Sequence, residues 1–238
     1  MCTRAPKRLA VTQAGGKRRQ QGAAALILLL MLMLGAGAVL IGVYGGSPRL
    51  ARERAAQRTL AEAQEALLGF AITHGRLPRP ALSPDSGIEL PSSCDSEQRC
   101  TGFVPWATLS LPPAYARGLP LRYSVTPAFA NDNAMPSTAV ATKTIAWRDG
   151  ARLRYRRGSG ACARDAQCVP AVLIASGKYQ GGQGFGGDQA LNAAASVHFI
   201  ERPFTDDERV AGAAFDDIVA SVSYLDLRVR MLSAGSWQ

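Results

Sequence analysis

The hydrophobic positions of this chain fall into three patterns, each predicting a different element. From 23 to 44 there are 22 consecutive residues without a charge, and 26–34 is built only of Leu, Ile and Met. As a helix this run reaches roughly 33 Å, which predicts a transmembrane helix across a hydrocarbon core of about 30 Å. Residues 45–48 make a short flexible break. From 50 to 74 the apolar residues Leu60, Ala63, Leu67, Phe70 and Ala71 recur at spacings of three and four, predicting a helix with one apolar face. Gly75 is placed to terminate it, and Pro78 and Pro80 forbid its continuation. Beyond 76 the pattern shortens to strands. Residues 119–125, 138–147 and 169–176 read as strands, and Trp147-Arg-Asp-Gly-Ala-Arg-Leu-Arg-Tyr155 reads as a hairpin turning at Asp149-Gly150. On its second arm Arg152, Arg154 and Arg156 alternate with Leu153 and Tyr155, the pattern of a sheet with one solvated face. Residues 76–118 and 178–189 read as loops, and 215–231 as a helix or a pair of strands.

Charge adds a direction to this pattern. The formal net charge of the 238 residues is +9. Arg4, Lys7, Arg8, Lys17, Arg18 and Arg19 lie before residue 23 with no acid among them, and removing these six from the 27 basic residues leaves 21 against 18 acidic. The excess therefore flanks the apolar run, which places the N-terminus in the cytoplasm and the remainder outside, and makes nucleic acid an unexpected partner. A secretory signal peptide has a similar start, but its apolar stretch is shorter and is removed. The organisation expected is a basic leader over 1–22, a membrane helix over 23–44, its periplasmic continuation over 45–75, and an α+β domain over 76–238.

Four cysteines lie in the part expected outside. Cys94 and Cys100, like Cys162 and Cys168, are separated by five residues among turn-formers, as small disulfide loops in an oxidising compartment would be. Four cysteines allow three pairings, and a four-thiolate zinc site is the rival, with a usual ligand spacing of two to four residues. Other chemistry is sparse. Gly182-Gln-Gly184-Phe-Gly-Gly187 matches a dinucleotide-binding spacing but lacks the surrounding strand–helix–strand unit. Only His74 and His198 are present, and no serine has a nucleophile context. Asp206-Asp-Glu208 and Asp216-Asp217 offer oxygen ligands to calcium, or solvated surface charge. No enzyme, metal, cofactor or small-molecule substrate is expected.

The junction Lys17-Arg-Arg-Gln-Gln-Gly22, followed by Ala23-Ala-Ala-Leu-Ile27, resembles the class III signal of prepilins. Leu67-Leu-Gly-Phe-Ala-Ile-Thr-His-Gly-Arg-Leu-Pro78, Phe103-Val-Pro-Trp-Ala-Thr-Leu109, Arg117-Gly-Leu-Pro-Leu-Arg-Tyr-Ser-Val125, Val172-Leu-Ile-Ala-Ser-Gly-Lys178 and Phe215-Asp-Asp-Ile-Val219 are similar to later segments of minor pseudopilins of type II secretion and type IV pilus systems. The resemblance covers about a third of the chain. It implies cleavage by a prepilin peptidase between Gly22 and Ala23, methylation of Ala23, and retention of the apolar segment. The fold it implies is α+β, with a long N-terminal transmembrane helix packed on an antiparallel β-sheet.

The partners implied are other pilin-like subunits at the bacterial inner membrane, with the C-terminal domain periplasmic. Within the apolar segment Gly35, Gly37 and Gly42 would permit close helix packing. Two departures stand out. The family's Glu at the fifth mature position is here Ile27, and Ala23 replaces the usual Phe. A buried Glu is costly in a membrane and serves assembly, so its loss fits a minor or tip subunit. An uncleaved leader would instead mean a single-pass membrane protein with a periplasmic partner-binding domain.

Overall fold

A computed structural model describes residues 23–35, 47–112, 120–131, 138–163, 168–177 and 187–237. The chain divides into two units, 1–51 and 52–238. In the first unit residues 23–35 form helix α1, exposed along its whole length. The leader 1–22 and residues 36–46 lie outside the described residues.

The expectation of a transmembrane helix is not met. Residues 23–35 are helical and, at 1.5 Å per residue, rise about 20 Å. The second helix, α2 (Pro48–His74), has the length but carries Arg49, Arg52, Glu53, Arg54, Arg58, Glu62 and Glu65. Among the described residues no helix is long and apolar enough to cross a membrane. The charged helix α2 packs its apolar stripe against a sheet.

The second unit is layered about one strand. Strands β1 (Thr101–Phe103), β2 (Leu121–Val125), β5 (Ala171–Ala175) and β7 (Ile218–Val222) form an antiparallel sheet in the order β1-β2-β5-β7. Strands β3 (Thr144–Asp149), β4 (Arg152–Arg157) and β6 (His198–Glu201) form a second sheet in the order β4-β3-β6. The second sheet is mixed, because β3 and β6 run parallel from Thr144↔His198 to Trp147↔Glu201. Helices α3 (Gly187–Ala193) and α4 (Tyr224–Ser233) complete the unit.

All five residues of β5 are buried, and their alternation divides them between two cores. Ala171, Leu173 and Ala175 join Leu60, Ala63, Leu67, Leu68 and Ala71 of α2, Tyr123 and Val125 of β2, and Leu227 and Met231 of α4. Val172 and Ile174 face the other way, onto Ile145 of β3, Phe199 of β6 and Val169. A strand buried on both faces has no polar positions to alternate, which is why 169–176 reads as a continuous apolar run.

Helix α2 buries residues only from Leu60 onward, and ends where Gly75 adopts φ +71°, its N–H donating to the Ala71 carbonyl at 2.9 Å. That left-handed conformation is open to glycine without strain. His74 stacks on Phe70 with ring centroids 3.8 Å apart, and its Nδ1 lies 3.1 Å from the Phe70 carbonyl. Downstream, both Glu89 oxygens accept from Arg76 at 2.8 Å, and one also accepts from the Arg79 amide at 2.9 Å. Burial disfavours the charge on Glu89, but these donors outweigh it and hold the carboxyl below its ordinary range.

The Asp149-Gly150 hairpin forms as expected, with Gly150 at φ +57° between β3 and β4. Residues 215–231 hold one strand and one helix, β7 and α4, where two like elements or a single helix were alternatives. Strand β1 lies inside a region read as loop, helix α3 begins where a glycine-rich loop was read to continue, and β6 was not anticipated.

Truncating Leu173, fully buried at the centre of β5, removes a side chain from the larger core and leaves a cavity. Leu173→Ala is expected to lower stability by about 3 kcal/mol in urea unfolding, against less than about 0.5 kcal/mol for Leu153→Ala on exposed β4. Equal losses would contradict the two-faced burial of β5.

Candidate functional site

Each cysteine pair closes on itself. Cys94–Cys100 and Cys162–Cys168 are disulfides with Cα atoms 5.1 and 5.6 Å apart. Of the three possible pairings the structure adopts the local one. Each bridge closes a loop of about seven residues, which restricts the unfolded chain by roughly 2 kcal/mol. The first loop is anchored by Asn131, which accepts from the Cys94 amide at 2.9 Å and donates to its carbonyl at 2.6 Å.

A charge pair ties the first disulfide loop to the approach to β3. Glu97 lies within the Cys94–Cys100 loop. It accepts from Lys143 Nζ and, at 2.6 Å, from the Thr142 hydroxyl. Lys143 is fully buried, while Glu97 keeps a quarter of its side chain in solvent. Desolvation lowers the Lys143 pKa, and Glu97 works against that fall. Lys143 also exchanges backbone hydrogen bonds with Val169, the neighbour of Cys168.

A second polar cluster surrounds α3, where Asp188, Gln189 and Asn192 are buried. Asp188 has no exposed side-chain surface. Its oxygens accept from Arg148 of β3, and Arg202 Nε stands 3.3 Å away. Arg202 donates to the carbonyls of Ala211 at 2.6 Å, Gly212 at 3.1 Å, and Ala213, while its guanidinium lies over the Phe215 ring. Asn192 accepts from the Ile200 amide at 2.8 Å and donates to the Ile200 carbonyl at 3.0 Å, so it occupies the free edge of β6.

The Asn192 amide also donates to Asp217 at 3.0 Å. Asp217 is buried, and burial pushes its carboxyl up to about 6, against the opposing pull of the Asn192 amide. Arg122 nearby donates to the Ala193 carbonyl at 2.9 Å. Chemically, the cluster binds α3, β3, β6 and the 202–217 segment to one another through charge-assisted hydrogen bonds.

The residues singled out from the sequence are widely separated in function. Ala23 is exposed and Gly35 has nothing within 4 Å of the position a Cβ would take, the first and last described residues of α1. Gly22, Gly37, Gly42 and most of the 182–187 glycine motif lie outside the described residues. Asp207 is half-buried and pairs with Arg209, and Asp216 accepts from Gln189 at 2.5 Å. Among the described residues no group of three or more His, Cys, Asp or Glu side chains could hold a metal. Sequence reading missed the cluster around α3. Its signal was present in Asp188 and Asn192, four apart in a short segment, but the arginine partners of Asp188 stand 40 and 14 residues away.

Three surfaces stand out by exposure. Along α1, the nine residues 26–34 are 57–71% exposed. Residues 52–59 of α2 present little buried surface. On β4, Leu153 and Tyr155 are 47% and 50% exposed, so the strand is solvated on both faces and not on the single face expected. Comparison with known protein families, curated proteins and solved structures finds no match in any of the three.

Two outcomes follow from the buried charges. Glu97→Ala leaves the Lys143 ammonium buried without its carboxylate and is expected to cost about 3 kcal/mol in chemical denaturation. Lys143→Met leaves Glu97 near solvent with Thr142, so it stays within about 1 kcal/mol of the parent. Asp217 gives a pH signature of defined sign. Its folded pKa stands above the unfolded value, so the native state binds more protons between about pH 4 and 6, and stability falls as pH rises through that window. Asp217→Asn is expected to remove that fall, gaining up to about 3 kcal/mol relative to the parent at pH 7 compared with pH 4. Parallel stability–pH curves for the two proteins would refute the buried carboxyl.

Proposed function

We propose that this chain is a minor pseudopilin-like structural subunit that assembles with other pilin-like subunits of a type II secretion or type IV pilus system. The observation that carries the reading is the one-sided burial of α2 on an antiparallel sheet. Its buried residues are Leu60, Ala63, Leu67, Leu68, Phe70 and Ala71, so its other faces are available to neighbours. The exposed apolar side chains of 26–34 support it. Covering one such side chain contributes about 1.5–3 kcal/mol, so nine in succession drive strongly toward cover by other subunits at the inner membrane.

The two disulfides suit a periplasmic location for the domain they pin. In this reading a prepilin peptidase acts between Gly22 and Ala23, and the role is structural and not catalytic. Ile27 in place of a carboxylate offers no ion pair to a neighbour's N-terminal amine. The subunit therefore contributes apolar packing without that pairing, as a minor component can.

Intact mass and N-terminal sequencing of the protein recovered from membranes of its own host test the proposal. The expected result is a mature chain beginning at methylated Ala23. A chain beginning at residue 1 or 2, in cells with active prepilin peptidase, would sink it.

A further inference from the structure

Four strands form the edges of the two sheets, and three of them are covered. The outer edge of β1 exchanges hydrogen bonds with Ala81, whose amide and carbonyl both lie 2.9 Å from their Phe103 partners. On β7 the Ser221 carbonyl accepts from Gln64 of α2 at 2.9 Å. On β6 Asn192 takes both the amide and the carbonyl of Ile200. The fourth edge, β4, has no hydrogen bond to its outer side among the described residues. An unpaired edge is a template for another strand unless something blocks it.

The side chains of β4 show what would fit. Register pairs Arg152 with Asp149 and Arg154 with Trp147, while Leu153 pairs with Arg148 and Tyr155 with Ala146. Up to the bulge opposite Ile145 and Ala146, one face of β4 is therefore arginine and the other apolar. The two arginines are weakly engaged. Arg154 stands 3.6 Å from Asp149 with both side chains largely exposed, and Arg152 has no ion pair among the described residues. Arg156 is committed to Glu201 at 2.9 Å and to the Trp147 ring.

We propose that the open edge of β4 docks an extended acidic segment of a partner protein by strand addition. Backbone groups of the added strand pair with those of β4. Its carboxylates lie beside Arg152 and Arg154, and its alternate apolar residues lie beside Leu153 and Tyr155. A second copy of β4 is excluded as the occupant, because pairing it with itself would set arginine against arginine. An anionic lipid surface would neutralise the arginines but leave the strand's amides and carbonyls without partners. This proposal stands on the hairpin alone and does not rest on the pilin-like reading.

The test uses the full chain in a nonionic detergent and a fluorescein-labelled peptide alternating Glu and Val over about ten residues, long enough to span β4. Fluorescence anisotropy is expected to show micromolar binding that weakens at least about tenfold in the R152E/R154E variant. The same peptide N-methylated on the amides of one edge is expected to lose binding to the unaltered protein, a readout independent of any variant's folding. Failure of the unmethylated peptide to bind would overturn the proposal. So would equal binding of the methylated peptide, which would leave only a general anion-attracting surface shared with anionic lipid nanodiscs.

Discussion

β5 is apolar at all five positions, and no arrangement of a single sheet with one wet face could bury it. Its two sets of side chains require a layer on each side. The fold supplies α2 and α4 on one face and the β3–β6 sheet on the other. This requirement orders the rest of the second unit. Strands β2 and β7 pair with β5 and inherit its register. The helix most charged in sequence lies against the sheet because it presents an apolar stripe there, beside that of α4.

Two cores in a domain of this size leave many loops crossing between layers, and polar groups secure those crossings. Lys143 and Glu97 join a disulfide loop to the start of β3. Asp188, held by Arg148 and Arg202, joins α3 to β3 and to the 211–213 carbonyls. Such pairs add little net stability over apolar packing, because desolvation of each ion opposes the attraction. Their value is geometric: each charge is satisfied in only one arrangement of its segments. The raised pKa of Asp217 marks the same low-dielectric environment, where burial outweighs the pull of the Asn192 amide and of the Arg122 charge.

The surfaces divide by chemistry into separate regions. The 26–34 stretch is apolar and exposed, while the outer faces of α2 carry charges of both signs. The β4 edge offers directional hydrogen bonds and positive charge. Its neighbouring edges are blocked by Ala81, Gln64 and Asn192, so its openness is local.

Local pattern was enough for much of this. The spacing of Leu60, Ala63, Leu67, Phe70 and Ala71 identified the buried face of α2, and Gly75 its end. Asp149-Gly150 identified the hairpin, and the paired five-residue spacings identified the disulfide loops. These features depend on residues within a few positions of one another, which sequence displays directly. Hydrophobicity alone pointed to a membrane-spanning helix over 23–44, whereas among the described residues no helix is long and apolar enough to cross a membrane. The parallel pairing of β3 with β6, the exposure of Leu153 and Tyr155, and the Arg148–Asp188–Arg202 cluster were settled only in three dimensions. Each depends on partners tens of residues apart, chosen by which faces remain uncovered once β5 is buried.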